Sequence, residues 1–288
     1  MTIDSIQLDG SPLPLETVEA VARHGASVQI ADSAILRIEQ ARAHVDRLAS
    51  SDQPYYGLNT GFGSLSQVRI EPDNVREVQK NIIRSHAAGV GDPLPVEVVR
   101  GMLLILAASL CRGHSGVRTE LVHRIVDLLN KGVTPIVPSR GSVGASGDLA
   151  PLAHAALVLL GEGDAMYQDE SMSGGKALKK AGLEPINPVA KEGLALLNGT
   201  HLMTSIGTLA LCDIARLQDA ALTGAAMAVD ACRASDGPFD ARLHKARNQV
   251  GQQDVARLMR ERLAGSQIVN DHKENDPRVQ DPYSLRAI

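Results

Sequence analysis

The sequence predicts an all-α, mainly helical protein with only small strands. Apolar residues recur at intervals of three and four along most of the chain, which is the period of an amphipathic helix. Strand-like runs are brief, at 27–30 and 134–137, so any sheet is small and lies in the first part of the chain. Four tyrosines, two phenylalanines and no tryptophan leave the core to Leu, Ile, Val, Ala and Met.

The helices follow from this spacing in chain order. The clearest begins at Asp32 or Ser33, either of which can cap it, and runs to about Ala49. The longest is predicted over 191–232, where Ala, Leu, Met and Ile are dense, and a helix of that kind needs neighbours to cover it. The same spacing predicts further helices over 15–24, 74–84, 95–112, 119–131, 148–160, 175–181 and 241–263.

Composition excludes several classes of function. The formal net charge of −4 gives no broad attraction to nucleic acid or to an anionic membrane. The first ten residues, MTIDSIQLDG, have neither a basic region nor an apolar run, and no stretch is expected to reach bilayer-spanning length. Three widely spaced cysteines without a Cys-x-x-Cys pair indicate neither a disulfide framework nor a zinc site. A cytoplasmic protein without a metal is expected.

The most informative segment is GSVGASGDLAP, residues 141–151. The backbone nitrogen of Gly147 could attack the carbonyl carbon of Ala145 only in a very tight loop, and a glycine permits that closure because it has no Cβ. Loss of the Ser146 hydroxyl as water would then leave a conjugated methylene that accepts nucleophiles. Asp148 is predicted to cap the helix that follows, so this electrophile would lie at a positive helix end.

The surrounding string SRGSVGASGDLAPLAH resembles the aromatic amino acid ammonia-lyase family, in which Ala-Ser-Gly becomes 4-methylideneimidazole-5-one (MIO). Four further stretches match in order and spacing, so the resemblance covers nearly the whole chain. They are YYGLNTGFG at 55–63, RSHAAGVG at 84–91, LLNGT at 196–200 and VQDPYSLR at 279–286. The resemblance implies an MIO-bearing N-terminal domain over 1–189 and the first part of a central long-helix bundle over 190–288.

The resemblance also implies roles for individual side chains. Tyr56, on a glycine-rich loop over the pocket, would be the catalytic base. A free phenol ionises near pH 10, so that role requires surrounding positive potential. Arg286 would pair with the substrate carboxylate through its planar guanidinium. Tyr283 and Gln280, which share a face if that segment is helical, would contact the electrophile and its neighbours, and Asn198 would hydrogen-bond near the MIO ring.

The choice of substrate depends on Ser85-His86. The histidine-specific branch of the family resembles this pair, and His86 can donate to or accept from a ring nitrogen. His201 stands where many histidine-specific members carry glutamine, which leaves the aminomutases and the phenylalanine and tyrosine lyases of the same family as alternatives. A non-catalytic partial subunit that needs a second chain is a further alternative.

The implied reaction is elimination of ammonia from L-histidine to give trans-urocanate. The electrophile forms autocatalytically from Ala145-Ser146-Gly147, so no metal or diffusible cofactor is needed, and attachment at the amine or at the ring of the substrate both stay open. The implied assembly is a homotetramer whose sites combine residues from several subunits.

Arg286 lies two residues from the end of the sequence, whereas family members continue well past this point. We therefore expect an N-terminal portion of a lyase, arising by truncation, proteolysis or a split gene. A separate C-terminal half would then cover the apolar helix faces around 190–232.

Overall fold

The computed structural model describes residues 3–63, 66, 68–71, 74–144, 147–271, 273 and 276–288. These residues form two compact units, Met1–Leu211 and Cys212–Ile288. The division falls within a long helix, whereas the predicted domain boundary lies at residue 190. The three cysteines are free, with Cys111 and Cys212 buried and Cys232 exposed.

The first unit is mainly helical, as predicted. Helix α4 is apolar almost throughout because it packs against both α1 and α5. On the side that carries the predicted site, α3 packs against α6 and α8. The helices are α1 (Leu15–His24), α2 (Asp32–Ala49), α3 (Val75–His86), α4 (Val96–Leu110), α5 (Thr119–Lys131), α6 (Leu149–Leu159), α7 (Gly174–Lys180), α8 (Glu192–Leu197) and α9 (His201–Ala231).

Short strands edge this unit in three small sheets. Strand β1 (Ser5–Leu8) pairs in parallel with β2 (Ser27–Ile30), and β3 (Val90–Pro93) pairs antiparallel with β5 (Pro138–Arg140). Strand β6 (Asp164–Tyr167) lies between β4 (Thr134–Pro135) and β7 (Glu170–Ser173), antiparallel to both. Of these seven strands, the sequence predicted only β2 and β4, and the run predicted over 134–137 extends two residues beyond β4.

The helix predicted over 191–232 is interrupted. Helix α8 ends at Leu197 and α9 begins at His201, so Asn198 lies in the three-residue break between them. By length and composition alone, Glu192–Ala231 is apolar enough to cross a membrane, with a mean hydropathy of 1.2, which corrects the expectation that no stretch reaches that length. A core helix of a helical bundle has the same composition.

The second unit has its own small core. Leu222, Val229, Phe239 and Met259 are buried in it, and Arg262 on α11 pairs with Asp219 on α9. The helix predicted over 241–263 is divided at Asn248, which has a left-handed backbone with φ of 53°. The helices after α9 are α10 (Ala241–Arg247), α11 (Val250–Leu263), α12 (Gln267–Asp271) and α13 (Tyr283–Arg286).

Candidate active site

A cavity of about 690 Å³ in the first unit brings together three of the predicted site residues. Tyr56 comes from the glycine-rich loop, His86 from the last turn of α3, and Asn198 from the break before α9. The remaining wall is mostly apolar, so an aromatic ring suits this cavity. Among the apolar side chains that line it are Phe62, Ile82, Leu149, Leu194 and Leu197.

Two of the three residues predicted to cyclise, Ala145 and Ser146, lie outside the described residues. The third, Gly147, has φ of 106°, a backbone conformation that favours glycine. A Cβ at this position would lie 2.2 Å from the carbonyl oxygen of Gly199. A residue with a Cβ would therefore clash with the Gly199 backbone at this position.

Asp148 occupies the predicted N-cap position of the next helix, but its side chain does not cap that helix as the sequence predicted. Helix α6 does begin at Leu149, but the Asp148 side chain makes no cap hydrogen bond to it. Its Oδ2 instead accepts from the backbone N–H groups of Leu202 (2.9 Å) and Met203 (3.0 Å), in the first turn of α9. Its Oδ1 accepts from Ser142 Oγ at 2.9 Å. The buried carboxylate therefore caps a distant helix, whose free N–H groups need a partner.

The loop that carries Tyr56 is organised by Asn59, which is 3% exposed. Asn59 Oδ1 accepts from the backbone N–H of Tyr55 at 2.7 Å, and its Nδ2 donates to the carbonyl oxygens of Ser51 and Gln53. The ring of Phe62 meets the Tyr56 ring edge to face, with centroids 5.8 Å apart. Tyr56 is therefore held from one side while 53% of it is exposed.

The hydrogen bonds of His86 fix its tautomer. Nδ1 lies 2.8 Å from the carbonyl oxygen of Ile82, and a carbonyl oxygen can only accept. In the neutral ring the proton therefore sits on Nδ1, and Nε2 is left as an acceptor. Ser85 Oγ lies 3.1 Å from the same Nδ1 and donates to the same carbonyl. Ser85 and His86 both line the cavity, and the neutral His86 ring keeps one acceptor free of these bonds.

Two more histidines support the segment around Gly147. His201 is buried, its Nδ1 has no partner, and desolvation lowers its pKa although Asp148 acts in the opposite direction. Its ring lies against Gly199, where a Cβ would be 2.1 Å from Cε1. His154 Nε2 accepts from the Gly89 N–H at 3.0 Å, and burial lowers the pKa of that ring. Burial therefore disfavours the charged form of both rings, and His154 accepts a hydrogen bond that a protonated ring could not.

The predicted residues near the end of the sequence form a second cluster, within the second unit. Arg286 Nη1 donates to Gln280 Oε1 at 2.6 Å, and its guanidinium lies 5.7 Å from the centre of the Tyr283 ring. Helix α13 begins at Tyr283 after Pro282, so Gln280 precedes the helix and the condition for it to share a helical face with Tyr283 is not met. Buried Asp281 anchors the segment by accepting from the Ser235 N–H at 2.7 Å.

Sequence reasoning missed two buried polar residues that hold α8 in place. Glu192 is fully buried, and both of its carboxylate oxygens accept hydrogen bonds from the Arg118 guanidinium. This pairing raises the pKa of Arg118. Gln79 is 1% exposed and accepts from the Gly193 N–H. Gln79 had a visible signal, because it falls on the apolar face that it shares with Ile82 and Ile83.

Across the described residues, no group of three or more His, Cys, Asp or Glu side chains is placed to hold a metal.

Residues 13–288 match the family model described as aromatic amino acid lyase. The histidine ammonia-lyase of Myxococcus xanthus is 47% identical over 288 residues, which is all of this chain and 56% of that protein. The crystal structure of histidine ammonia-lyase from Trypanosoma cruzi superposes with a TM-score of 0.83 at 39% identity, covering 89% of this chain and 49% of that one. Tyrosine aminomutase from Streptomyces globisporus gives a TM-score of 0.89 at 32% identity, covering 98% and 57%. The chain thus spans about half the length of the relatives it matches.

Proposed function

The chain belongs to the aromatic amino acid lyase family, and we propose that it carries the electrophile, base loop and ring pocket of an ammonia-lyase that converts L-histidine to trans-urocanate. The observation that carries this proposal is the single cavity lined by Tyr56, His86 and Asn198. The names of the 46% and 47% identical relatives support the choice of substrate. The chain spans 56% of the first of these relatives. The activity, substrate and partners of a whole lyase are therefore proposed for this chain and not observed in it.

The residues on either side of 145–146 suit an MIO group formed from Ala145-Ser146-Gly147. Gly147 lies against the Gly199 carbonyl with no space for a Cβ, and the Asp148 N–H donates to that same carbonyl at 2.7 Å. This arrangement holds the C-terminal side of the tripeptide rigidly, as a close approach of its nitrogen requires. MIO supplies an electrophilic methylene that makes the substrate nitrogen a better leaving group, and no metal or diffusible cofactor is part of the proposal.

The substrate ring is proposed to bind between the apolar wall and His86. Because Nδ1 of His86 is engaged by the Ile82 carbonyl, Nε2 can only accept in the neutral ring. The ligand must then donate, which the N–H of an imidazole does and a phenyl ring does not. A phenol could also donate, so this geometry favours histidine over phenylalanine more strongly than over tyrosine.

Tyr56 is proposed to take the β-proton. Its ring lines the cavity, and the edge of Phe62 limits the positions that it can adopt. Closure of the loop over a bound substrate would exclude water from the reaction. Asn198 lines the same cavity, in the break between α8 and α9, and is proposed to hydrogen-bond near the MIO ring.

The second cluster completes the proposal. Arg286 is proposed to bind the substrate carboxylate, and Tyr283 and Gln280 to contact the electrophile and its neighbours. Because Arg286 already donates to Gln280, that bond would be exchanged for a carboxylate when substrate binds. We further propose a cytoplasmic homotetramer in which several subunits build each site, with a separate C-terminal half as the partner that a partial subunit would need.

Two alternative functions are considered within the same family. The similarity to tyrosine aminomutase supports a 2,3-aminomutase that returns ammonia to the β-carbon. The limited coverage of the relatives supports a non-catalytic partial subunit.

The test is incubation of the purified chain with L-histidine, L-tyrosine or L-phenylalanine, followed by product absorbance and chiral chromatography. Urocanate from L-histidine, lost in the Ser146→Ala variant, is the expected result. A mixture of α- and β-amino acids would identify an aminomutase instead. Absence of any product, with the electrophile present, would contradict the lyase proposal for this chain.

A further inference from the structure

A buried glutamine lies where three segments of the first unit meet. Gln79 is on α3 and is 1% exposed, although the neighbours on its face, Ile82 and Ile83, are apolar. A leucine would continue this apolar face without desolvating an amide. A polar side chain is stable there only when its donors and acceptors are satisfied, so its partners indicate its role.

The first partner is the start of α8. Gln79 Oε1 accepts from the Gly193 N–H at 2.9 Å, and an N–H in the first turn of a helix has no partner within that helix. The contact is close, since a Cβ on Gly193 would lie 2.5 Å from the carbonyl oxygen of Gln79. Helix α8 ends at Leu197, directly before Asn198. Gln79 therefore sets where the helix that leads to Asn198 begins.

The second partner is the loop that carries Tyr56. Gln79 Nε2 donates to the carbonyl oxygen of Gly57, the residue after Tyr56, at 3.5 Å. Gly57 has φ of 72°, and a Cβ there would lie 3.0 Å from Leu194 Cδ2 on α8. The loop thus packs directly against α3 and α8. The hydrogen bond from the Gln79 amide to the Gly57 carbonyl is long and therefore weak.

We infer that Gln79 is a positioning residue that fixes Tyr56 relative to His86 and Asn198. It contacts the loop and α8 directly, and His86 lies seven residues further along the same face of α3. One amide thereby joins the three segments that supply the three cavity residues. The consequence for catalysis rests on the proposed lyase function, whereas the order that Gln79 imposes on the loop does not.

The test uses the whole chain labelled with 3-fluorotyrosine and observed by ¹⁹F NMR. The chain has four tyrosines, and loss of one resonance in a Tyr56→Phe variant assigns Tyr56. Gln79→Leu removes both hydrogen bonds. Gln79→Glu keeps the acceptor for Gly193 but, when ionised, places a negative charge against the Gly57 carbonyl. Protonation of that carboxyl restores a donor, and burial raises the pH at which this occurs.

We expect Gln79→Leu to move the Tyr56 resonance towards its position in the unfolded chain while the Tyr167 resonance stays in place. Followed over a pH series, Gln79→Glu should show the same shift where its carboxylate is ionised and lose it where that carboxylate is protonated. The control is Gln252→Glu, the same chemical change at an exposed position, which should leave the spectrum as in the wild type. The reversal by acid distinguishes positioning from packing, and it keeps the test valid if Gln79→Leu does not fold.

A Tyr56 resonance in Gln79→Glu that still matches the wild type after the carboxylate has ionised would overturn the inference, as would a shift that acid does not reverse. In the lyase assay, kcat should fall about 10- to 100-fold with KM little changed, because a small misplacement of a reacting group costs rate more than binding. If the wild type turns over no substrate, the lyase proposal fails while the NMR result stands, because the spectra need no substrate.

Discussion

The backbone N–H of Asp148 donates a 2.7 Å hydrogen bond to the carbonyl oxygen of Gly199. Asp148 directly follows the predicted Ala-Ser-Gly electrophile, and Gly199 directly follows Asn198. Asn198 is one of the residues that line the cavity. The Asp148 carboxylate strengthens the same junction by capping α9. Asp148, which follows the proposed electrophile, is therefore tied to the segment that carries Asn198 by its own backbone N–H and its carboxylate.

Gly147→Ala should prevent cyclisation and destabilise the chain by about 2 to 5 kcal/mol. An alanine there would combine a left-handed backbone with a clash against the Gly199 carbonyl. The matched control is Gly144→Ala, because Gly144 also has a positive φ but open space where a Cβ would lie, so only about 1 to 2 kcal/mol is expected. Urea unfolding and peptide mass measure both effects. Equal losses in the two variants would contradict the role given to the Gly199 carbonyl.

Asp148→Asn should lower the free energy of unfolding by about 2 to 3 kcal/mol. The carboxylate accepts three hydrogen bonds, and an amide has one oxygen to offer and brings donors towards the N–H groups of α9. Ser142→Ala removes one of the three bonds and should cost about 0.5 to 1.5 kcal/mol. Chemical denaturation compares the two variants. A larger loss in Ser142→Ala than in Asp148→Asn would show that the helix cap is not the main role of Asp148.

Stability should fall as the pH drops below about 6.5, because burial lowers the pKa of both His154 and His201 in the folded chain. Between the lowered folded pKa and the ordinary unfolded value, the unfolded chain binds more protons, so acid favours unfolding. Protonation of His154 also removes the acceptor for the Gly89 N–H. The stabilisation is complete above about pH 6.5 and is lost towards the folded pKa values.

The measurement is the free energy of unfolding at several pH values in the wild type and in a His154→Gln, His201→Gln double variant. The double variant should show a smaller slope below about pH 6.5, and His123→Gln, at an exposed position, should keep the wild-type slope. A double variant with the full wild-type slope would assign the acid sensitivity to other groups.

His86→Phe should lower kcat/KM for L-histidine about 10- to 100-fold and affect L-phenylalanine much less. The substitution removes the Nε2 acceptor and leaves an imidazole N–H of the substrate without a partner. Ser85→Ala is the control, because it keeps the ring and its bond to the Ile82 carbonyl. Substrate competition assays give the ratio of the two values. An unchanged ratio in His86→Phe would place the substrate ring elsewhere.

Local periodicity was enough to predict the helices whose contacts are simple. Helices α1 and α5 have the predicted bounds, and α2 ends at Ala49 as expected, because each has one apolar face. The cap predicted for α2 is wrong, since its N-cap is Ala31 and neither Asp32 nor Ser33 caps it. The interruption at Asn198–Thr200 was not predictable in this way. It is accompanied by a cap from the Asp148 carboxylate, more than 50 residues away, which accepts from the N–H groups of Leu202 and Met203 in the first turn of α9. Strands β1, β3 and β5 were missed for the same reason, since their partners are distant in sequence. The β6–β7 hairpin is local, with only Gln168 and Asp169 between its strands, and was missed because four-residue strands show too little alternation.

The site was predicted in part. The matched motifs identified Tyr56, His86 and Asn198, and these three line one cavity. They did not reveal that His86 presents Nε2 as an acceptor, which depends on the Ile82 carbonyl one turn earlier. Nor did they reveal Gln79, although a polar residue on an apolar helix face is a signal that periodicity analysis can use.

The most direct test of the central claim is the accurate intact mass of the purified chain, with peptide mapping across residues 140–154. The account predicts a loss equal to two waters, confined to the peptide that contains Ala145-Ser146-Gly147 and absent in Gly147→Ala. An unmodified peptide in a folded wild-type chain would contradict it, because this chain would then not form its own electrophile.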